Sequence, residues 1–340
     1  MHELKEIKLV LDGLRSIGRP FMLVNNSEWY SLFHDEIRNS IAIEGIFTDR
    51  NQLLAVLEGN QRTTDQKSAA ILGYFEAAST LYDYANNQYT TDEFSLRLSD
   101  LKQIHTLLMK YEYQFGSFVG KLGGFREENV AVTSSNFTPL NYLNLNDALP
   151  IFVKWLNENL KTNKFDLLTS IAASHIVFET IHPFRDGNGR VGRILLSYIL
   201  IGTGLLNISI KGTAKVDREK YYSALETGDN QIESFLRRIE QGETPTVSRF
   251  NKAVRQSNLE PMKKIILNRL NHSLSLIEKD IKTFNQDALL PLRDAAKYYS
   301  YSQDYLRQLI HSGKLKGEKR GKLWYVSVRA IKQYEERIHG

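Results

Sequence analysis

The 340-residue chain contains no cysteine, so neither disulfides nor thiolate metal sites are available to it, which agrees with a reducing compartment. It also lacks a long apolar run. The richest stretch, Ile194 to Leu206, is interrupted by Ser197, Gly202, Thr203 and Gly204 and is too short to cross a bilayer. The opening Met1-His2-Glu3-Leu4-Lys5 has no apolar core of the kind a secretory leader needs. The expectation is a soluble, cytoplasmic chain with no membrane contact. Over most of its length the chain has no excess charge of either sign. From 287 to 340 there are eleven Lys and Arg against six Asp and Glu, and that surplus equals the whole formal net charge of +5. A hydrophobic fraction of 42% excludes a disordered chain, and the length suits two or three domains.

What is present is concentrated in His182-Pro183-Phe184-Arg185-Asp186-Gly187-Asn188-Gly189-Arg190, with Arg193 just beyond. Apolar residues at helical spacing run from Phe165 to Ile181, and Val191 to Leu206 reads as a core helix, so this stretch is a loop entering a helix. The first turn of a helix offers unpaired N–H groups and the positive end of the macrodipole, which makes it an anion site. Gly187-Asn188-Gly189 lets the backbone approach a phosphate closely. Arg190 and Arg193, three residues apart, can each fork onto phosphate oxygens. Asp186 supplies a hard oxygen suited to Mg²⁺. His182 titrates near neutrality and suits proton abstraction from a hydroxyl, with Pro183 and Phe184 as rigid turn and apolar anchor.

These residues resemble the Fic family signature HPFx[D/E]GN[G/K]R and match it at every position. The resemblance implies transfer of AMP from ATP to a Ser, Thr or Tyr hydroxyl of a target protein. In that scheme His182 is the base, Asp186 holds Mg²⁺, and Gly187, Asn188, Gly189, Arg190 and Arg193 bind phosphates. The Gly-Asn-Gly turn is that of the AMP-transferring members; kinase-like relatives usually carry Ala-Asn-Lys. The implied fold is mainly α: a Fic-type helical core with a β-hairpin flap, followed by a small C-terminal winged helix-turn-helix.

Taken in order, the chain opens with a short helix ending near Gly18-Arg19-Pro20. Trp29, Phe33 and Ile37 then recur every fourth residue, and the helix runs to Gly45. Its Ser40-Ile41-Ala42-Ile43-Glu44-Gly45 resembles the family's inhibitory motif [S/T]xxxE[G/N], which implies an inhibitory helix at about 29–45 in which Glu44 meets Arg193 and Ser40 sits one turn away. Helices are expected from a Thr48 cap through Leu57, at Asp65–Tyr84, and from Asp92 to Lys110 after Thr90-Thr91. Between Gly116 and Pro139 the periodicity becomes that of a β-hairpin. The flap is placed at about 129–139, with Val130, Ala131 and Val132 extended. Helices return at Asn146–Leu160 and Asp217–Ile239. The latter carries Tyr221 and Tyr222, which resemble the segment beside the adenine; the asparagine that often follows is here Asn230, at a shorter spacing. The Fic domain is expected over 1–240 and a helical connector over 241–286, with Met262, Ile266, Leu270, Leu274 and Ile277 as its apolar stripe.

Residues 287–340 resemble the winged helix-turn-helix of excisionase-like and MerR-type proteins. Ser302 would cap the recognition helix, and Lys316 to Lys322 would form the wing tip. The DNA-contacting candidates are Lys314, Lys316, Lys319, Arg320 and Lys322. His175, Glu179 and His182 share a helical face, but no fourth ligand completes a zinc site, and His175 reads as structural. Two functions stand against each other: an autoinhibited AMP transferase, whose target is unidentified, with the chain itself one candidate, and a DNA-bound regulator whose core senses nucleotide. Transfer of phosphocholine, UMP or phosphate, and removal of AMP, are the enzymatic alternatives. The sequence leaves a homodimer open.

Overall fold

The computed structural model describes residues 3–16, 27–57, 65–131, 138–283, 289–298, 301–320 and 323–339. Among them the chain forms α1 (Leu4–Ser16), α2 (Ser27–Ile43), α3 (Arg50–Leu57), α4 (Gln66–Thr90), α5 (Leu98–Phe115), α6 (Leu145–Thr162), α7 (Leu167–Ile181), α8 (Asn188–Gly202), α9 (Lys215–Glu240), α10 (Val247–Gln256) and α11 (Glu260–Thr283). There follow β1 (Leu289–Pro291), α12 (Leu292–Tyr298), α13 (Gln303–His311), β2 (Gly317–Arg320), β3 (Leu323–Ser327) and α14 (Val328–His339). The described residues divide into two compact units, one of 3–16 and 32–273, the other of 27–31 and 274–339.

In the first unit α8 is buried on every side, as its apolar composition requires, and α4, α5 and α7 pack around it. At Gly73 a Cβ would fall 2.0 Å from the Leu108 carbonyl oxygen, so only glycine lets α4 lie this close to α5. Helix α2 is seated by a buried carboxylate. Glu36 accepts hydrogen bonds from Tyr74 and Tyr82 of α4, Ser197 of α8 and Asn207. Asn39, one turn on, donates to Ser209 Oγ and accepts from the Gly212 N–H.

Side-chain caps set several helix starts. Asp65 accepts from Ser68 N at 2.7 Å and Asp166 from Thr169 N at 2.9 Å. Before α3 the cap is Asp49, which accepts from Gln52 N, and not the expected Thr48. Helix α4 continues past Tyr84 to Thr90 because Ala85 and Gln88 are still buried. Helix α5 starts at Leu98, not Asp92: Asp92 turns the chain at φ +56°, and the Asp100 carboxylate accepts from Arg97 N. Helix α8 starts three residues earlier than its apolar run suggests.

The expected connector is not a separate piece. Phe250 of α10 stacks on Trp155 and meets Phe235 edge-on, Trp155 Nε1 donates to Asn251, and Ser273 of α11 bonds to Asn207 O. The stripe Met262, Ile266, Leu270, Leu274 and Ile277 is buried.

The second unit is a winged helix-turn-helix with a core of its own, built from Leu292, Ala295, Leu306, Leu309, Leu315, Val326, Ala330, Ile331 and Tyr334. Its antiparallel sheet has the order β1-β3-β2, with Leu290 opposite Val326 and Lys319 opposite Trp324. Ser302 caps α13 by accepting from Tyr305 N at 3.0 Å. Helix α14, which the tail motif does not announce, closes the core with Ile331 and Tyr334.

Candidate active site

His182 ends α7 in the left-handed conformation, φ +53°, its N–H still bonded to Phe178 O. Its Nδ1 lies 3.3 Å from the Glu179 carbonyl; with the proton on Nδ1, Nε2 is left as the base. Phe184 is fully buried and stacks on His105 at 4.1 Å, anchoring the loop. The Asn188 amide clasps the loop from below, accepting from Phe184 N and donating to Phe184 O, both at 2.8 Å. Its side chain is therefore spent on shape. Gly187, at φ +75°, precedes the first turn of α8, and its N–H reaches Asp186 Oδ1 at 2.5 Å.

A cavity of about 970 Å³ opens over this turn. His182, Asp186, Gly187, Asn188, Gly189 and Arg193 line it, with Glu44 from the end of α2 and Glu179, Tyr221 and Tyr222 on the far wall. The two arginines of the motif separate. Arg193 stays on the cavity, donating Nε to Ser40 Oγ at 2.8 Å and Nη2 to Ser40 O at 3.1 Å and Glu44 Oε1 at 2.5 Å. Arg190 turns into the core and pairs with the buried Glu112 of α5; α8 presents its two sides to different partners. Gly189 makes room for the Glu44–Arg193 pair, since a Cβ there would meet Glu44 Oε1 at 2.6 Å. Gly45 follows in a left-handed turn that ends the helix.

Burial is the first cause of every shift here. It lowers His182 to about 4, with the Arg126 cation adding to the effect and the Glu179 carbonyl, Glu44 and Asp186 opposing it. The imidazole is neutral at physiological pH. Burial raises Glu44, but Arg193, Arg190 and the Arg193 hydrogen bond outweigh it and hold the carboxyl below the usual range. Burial opposes the Arg193 charge, which Glu44 restores and strengthens. Glu179 is pushed up to about 8 by burial, against the pull of Arg193.

Tyr221 is buried and its hydroxyl meets His175 Nε2 at 2.8 Å, while His175 Nδ1 reaches Gly192 O; His175 ties three helices together, as a structural histidine should. Tyr222 stands at the cavity mouth, its hydroxyl 3.5 Å from Ile43 O. Val130 and Ala131 border the cavity; Val132 lies outside the described residues. Residues 129–131 and 138–141 join no strand ladder among the described residues. In the second unit Lys314, Lys316, Lys319 and Arg320 are exposed, Arg320 paired with Glu318 at 2.8 Å, and Lys322 lies outside the described residues.

Asp186 is exposed to the cavity at the head of α8. One carboxylate beside a phosphate nest fits Mg²⁺, which keeps waters and shares phosphate oxygens instead of needing an all-protein cage. Among the described residues no group of three His, Cys, Asp or Glu is placed to hold a metal unaided. Sequence reasoning missed Glu112, His105, Arg126 and the cavity-facing role of Glu179. Arg126, in the Gly-Phe-Arg that precedes Val130, and Glu179, on one helical face with His175 and His182, stood within segments already singled out.

Residues 95–200 match the Fic/DOC family, and residues 289–338 match a family described as helix-turn-helix domain. The chain is 30% identical over 290 residues to a probable protein adenylyltransferase of Aquifex aeolicus, covering 84% of each. It is 26% identical over 229 residues to a protein adenylyltransferase Fic of Aedes aegypti, covering 67% of this chain and 43% of that one. Among solved structures, a Fic domain containing signaling protein of Bacteroides thetaiotaomicron shares the fold with a TM-score of 0.58 at 19% identity, covering 76% of this chain and 90% of that one. Residues 134–508 of Fic-1 from Caenorhabditis elegans do so with a TM-score of 0.56 at 18% identity, covering 83% and 73%. Among the described residues no helix is long and apolar enough to cross a membrane. With a neutral histidine, a carboxylate and a glycine-bracketed helix start on one cavity, and a relative of this identity over this length, the chain belongs to the Fic/DOC family.

Proposed function

We propose that the chain is a protein adenylyltransferase that moves AMP from ATP to a hydroxyl side chain of a target protein, and that Glu44 holds it in check. One observation carries the reading: His182, Asp186, the first turn of α8 and Arg193 face a single cavity, and Glu44 occupies Arg193 from its edge. The N–H groups and positive end of α8 would hold phosphate oxygens, and Asp186 would hold Mg²⁺, which neutralises phosphate charge when bound. Neutral His182 takes the proton of the acceptor hydroxyl as it attacks the α-phosphorus; pyrophosphate leaves. While Glu44 pairs with Arg193, that guanidinium is unavailable to a γ-phosphate, and a carboxylate stands beside the triphosphate.

The test uses ATP labelled at the α-phosphate. Glu44→Gly should raise labelling of protein, including the chain itself, well above wild type. His182→Ala should abolish labelling in either background while Mg²⁺·ATP still binds. Equal labelling by wild type and Glu44→Gly would remove Glu44 from regulation, and transfer by His182→Ala at the parent rate would remove the base.

The helix-turn-helix supports a second reading for the other unit, contact with duplex DNA through exposed Lys314, Lys316 and Lys319 beside the wing. A core that only sensed nucleotide would need neither a neutral His182 nor an exposed Asp186, so catalysis is the reading favoured for the first unit.

A further inference from the structure

Arg126, between α5 and α6, is 5% exposed, and its hydrogen bonds go almost entirely to backbone carbonyls. Nε donates to His182 O at 2.8 Å, Nη1 to Glu128 O at 3.0 Å, and Nη2 to Leu140 O and, at 3.4 Å, to Ile181 O. A longer bond of 3.5 Å reaches Asn129 Oδ1. Its own N–H donates to Pro183 O at 2.9 Å. Three consecutive carbonyls of the loop that carries the base, those of Ile181, His182 and Pro183, thus end on one residue.

The first two of those carbonyls are at the end of α7, where helix carbonyls have lost their partners and the dipole is negative. A cation there satisfies both needs. His182 is also one of three non-glycine residues at positive φ among those described, a conformation that is strained for an L-residue because Cβ crowds the following carbonyl oxygen. Something outside the helix must hold it. A planar guanidinium with five fixed donors can bridge the helix end to the carbonyls of Glu128 and Leu140 at once; a lysine ammonium, a point charge on a flexible stem, cannot.

We infer that Arg126 is the positioning residue for the base, fixing the left-handed turn at His182 and tying it to the chain at Glu128 and Leu140, so that the imidazole presents Nε2 to the cavity. It touches neither substrate nor reacting atoms. Its charge has a second effect on the same ring. Of the charged groups around His182, Arg126 lowers the imidazole while Glu44 and Asp186 raise it, and burial adds to the lowering.

The kinetic arm of the test rests on the transfer reading above; the spectroscopic arm does not. In the full chain, Arg126→Gln should keep ATP affinity within about twofold yet lower AMP transfer by about 10- to 100-fold, the scale expected when a reacting group is misplaced by about 1 Å. Arg126→Lys, which retains the cation without the fork, should also lose transfer. The His182 ring protons, assigned by their absence in His182→Ala, are followed by NMR through a pH titration. Arg126→Gln should titrate at higher pH than wild type, and Arg126→Lys close to wild type. A wild-type transfer rate in Arg126→Gln overturns the assignment. So does a His182 titration unmoved in that variant, which would make Arg126 a fold staple alone. Should no form of the chain transfer AMP, the transfer reading fails, and the titration still decides whether Arg126 governs His182.

Discussion

The base role proposed for His182 requires an uncharged imidazole, and its surroundings keep it so. Its ordinary pKa would leave part of the imidazole protonated at pH 6 to 7; burial and Arg126 lower it to about 4. With His182 as the proposed base the neutral form is the competent one, so activity should persist as pH falls through 6 and 5 and decline only toward 4. In Glu44→Gly, whose carboxylate raises the imidazole, the decline should move lower still. The measurement is kcat/KM for labelled ATP between pH 4 and 8; an acid limb near 6.5 would show an exposed, ordinary histidine. That His182, Asp186 and the glycine turn lie together could be read directly from the sequence because they are adjacent in the chain. The fate of Arg190 could not, because Glu112, which draws it into the core, lies 78 residues away. Arg126 escaped notice for a related reason: its partners are backbone carbonyls, which leave no mark in the side-chain sequence.

Helices with a clear cap or stripe, such as α7 with its apolar spacing from Phe165 to Ile181 and α13 behind Ser302, were legible in the sequence. Helix α4, whose end is decided by packing, ran long, and α5 started late, behind the turn at Asp92 and the Asp100 cap. Residues 241–286 looked like a connector because a regular apolar stripe says that a face is buried but not against what; aromatic packing on Trp155 places α10 in the first core. Helix α2 carries a buried Glu36 that sets a testable pH dependence. Burial raises this carboxyl to about 7, against the hydrogen bonds from Tyr82, Asn207, Tyr74 and Ser197. Between about pH 4.5 and 7 the unfolded chain has released the proton while the folded chain retains it, so Glu36 costs stability as pH rises through that window, by on the order of 3 kcal/mol at most. Glu36→Gln keeps the shape without the titration. Urea unfolding should therefore show the glutamine variant gaining on wild type from pH 5 to pH 8; a constant difference at both would show that Glu36 does not titrate there.

At the scale of the whole chain, charge is divided as unevenly as chemistry. Residues before 287 carry no net charge, and the surplus lies in the winged helix-turn-helix. If duplex DNA is the partner of that unit, its affinity must come largely from lysines on phosphates, and such contacts release counterions, so log K falls with log salt by roughly 0.9 per phosphate neutralised. Lys314, Lys316 and Lys319 are exposed and available. Arg320 is engaged with Glu318, so it contributes less than its charge suggests. The full-length chain should therefore bind mixed-sequence duplex more tightly at 50 mM than at 200 mM salt. Changing all three lysines to glutamate should weaken binding and flatten the salt slope by about 3, since each lysine lost removes about one phosphate contact. AMP transfer to a fixed target should be untouched by that triple variant, because the three lysines belong to the second unit and the residues lining the cavity that holds His182 belong to the first. Salt-independent binding, or a slope unchanged in the variant, would exclude phosphate contact by these residues and turn the unit toward a protein partner.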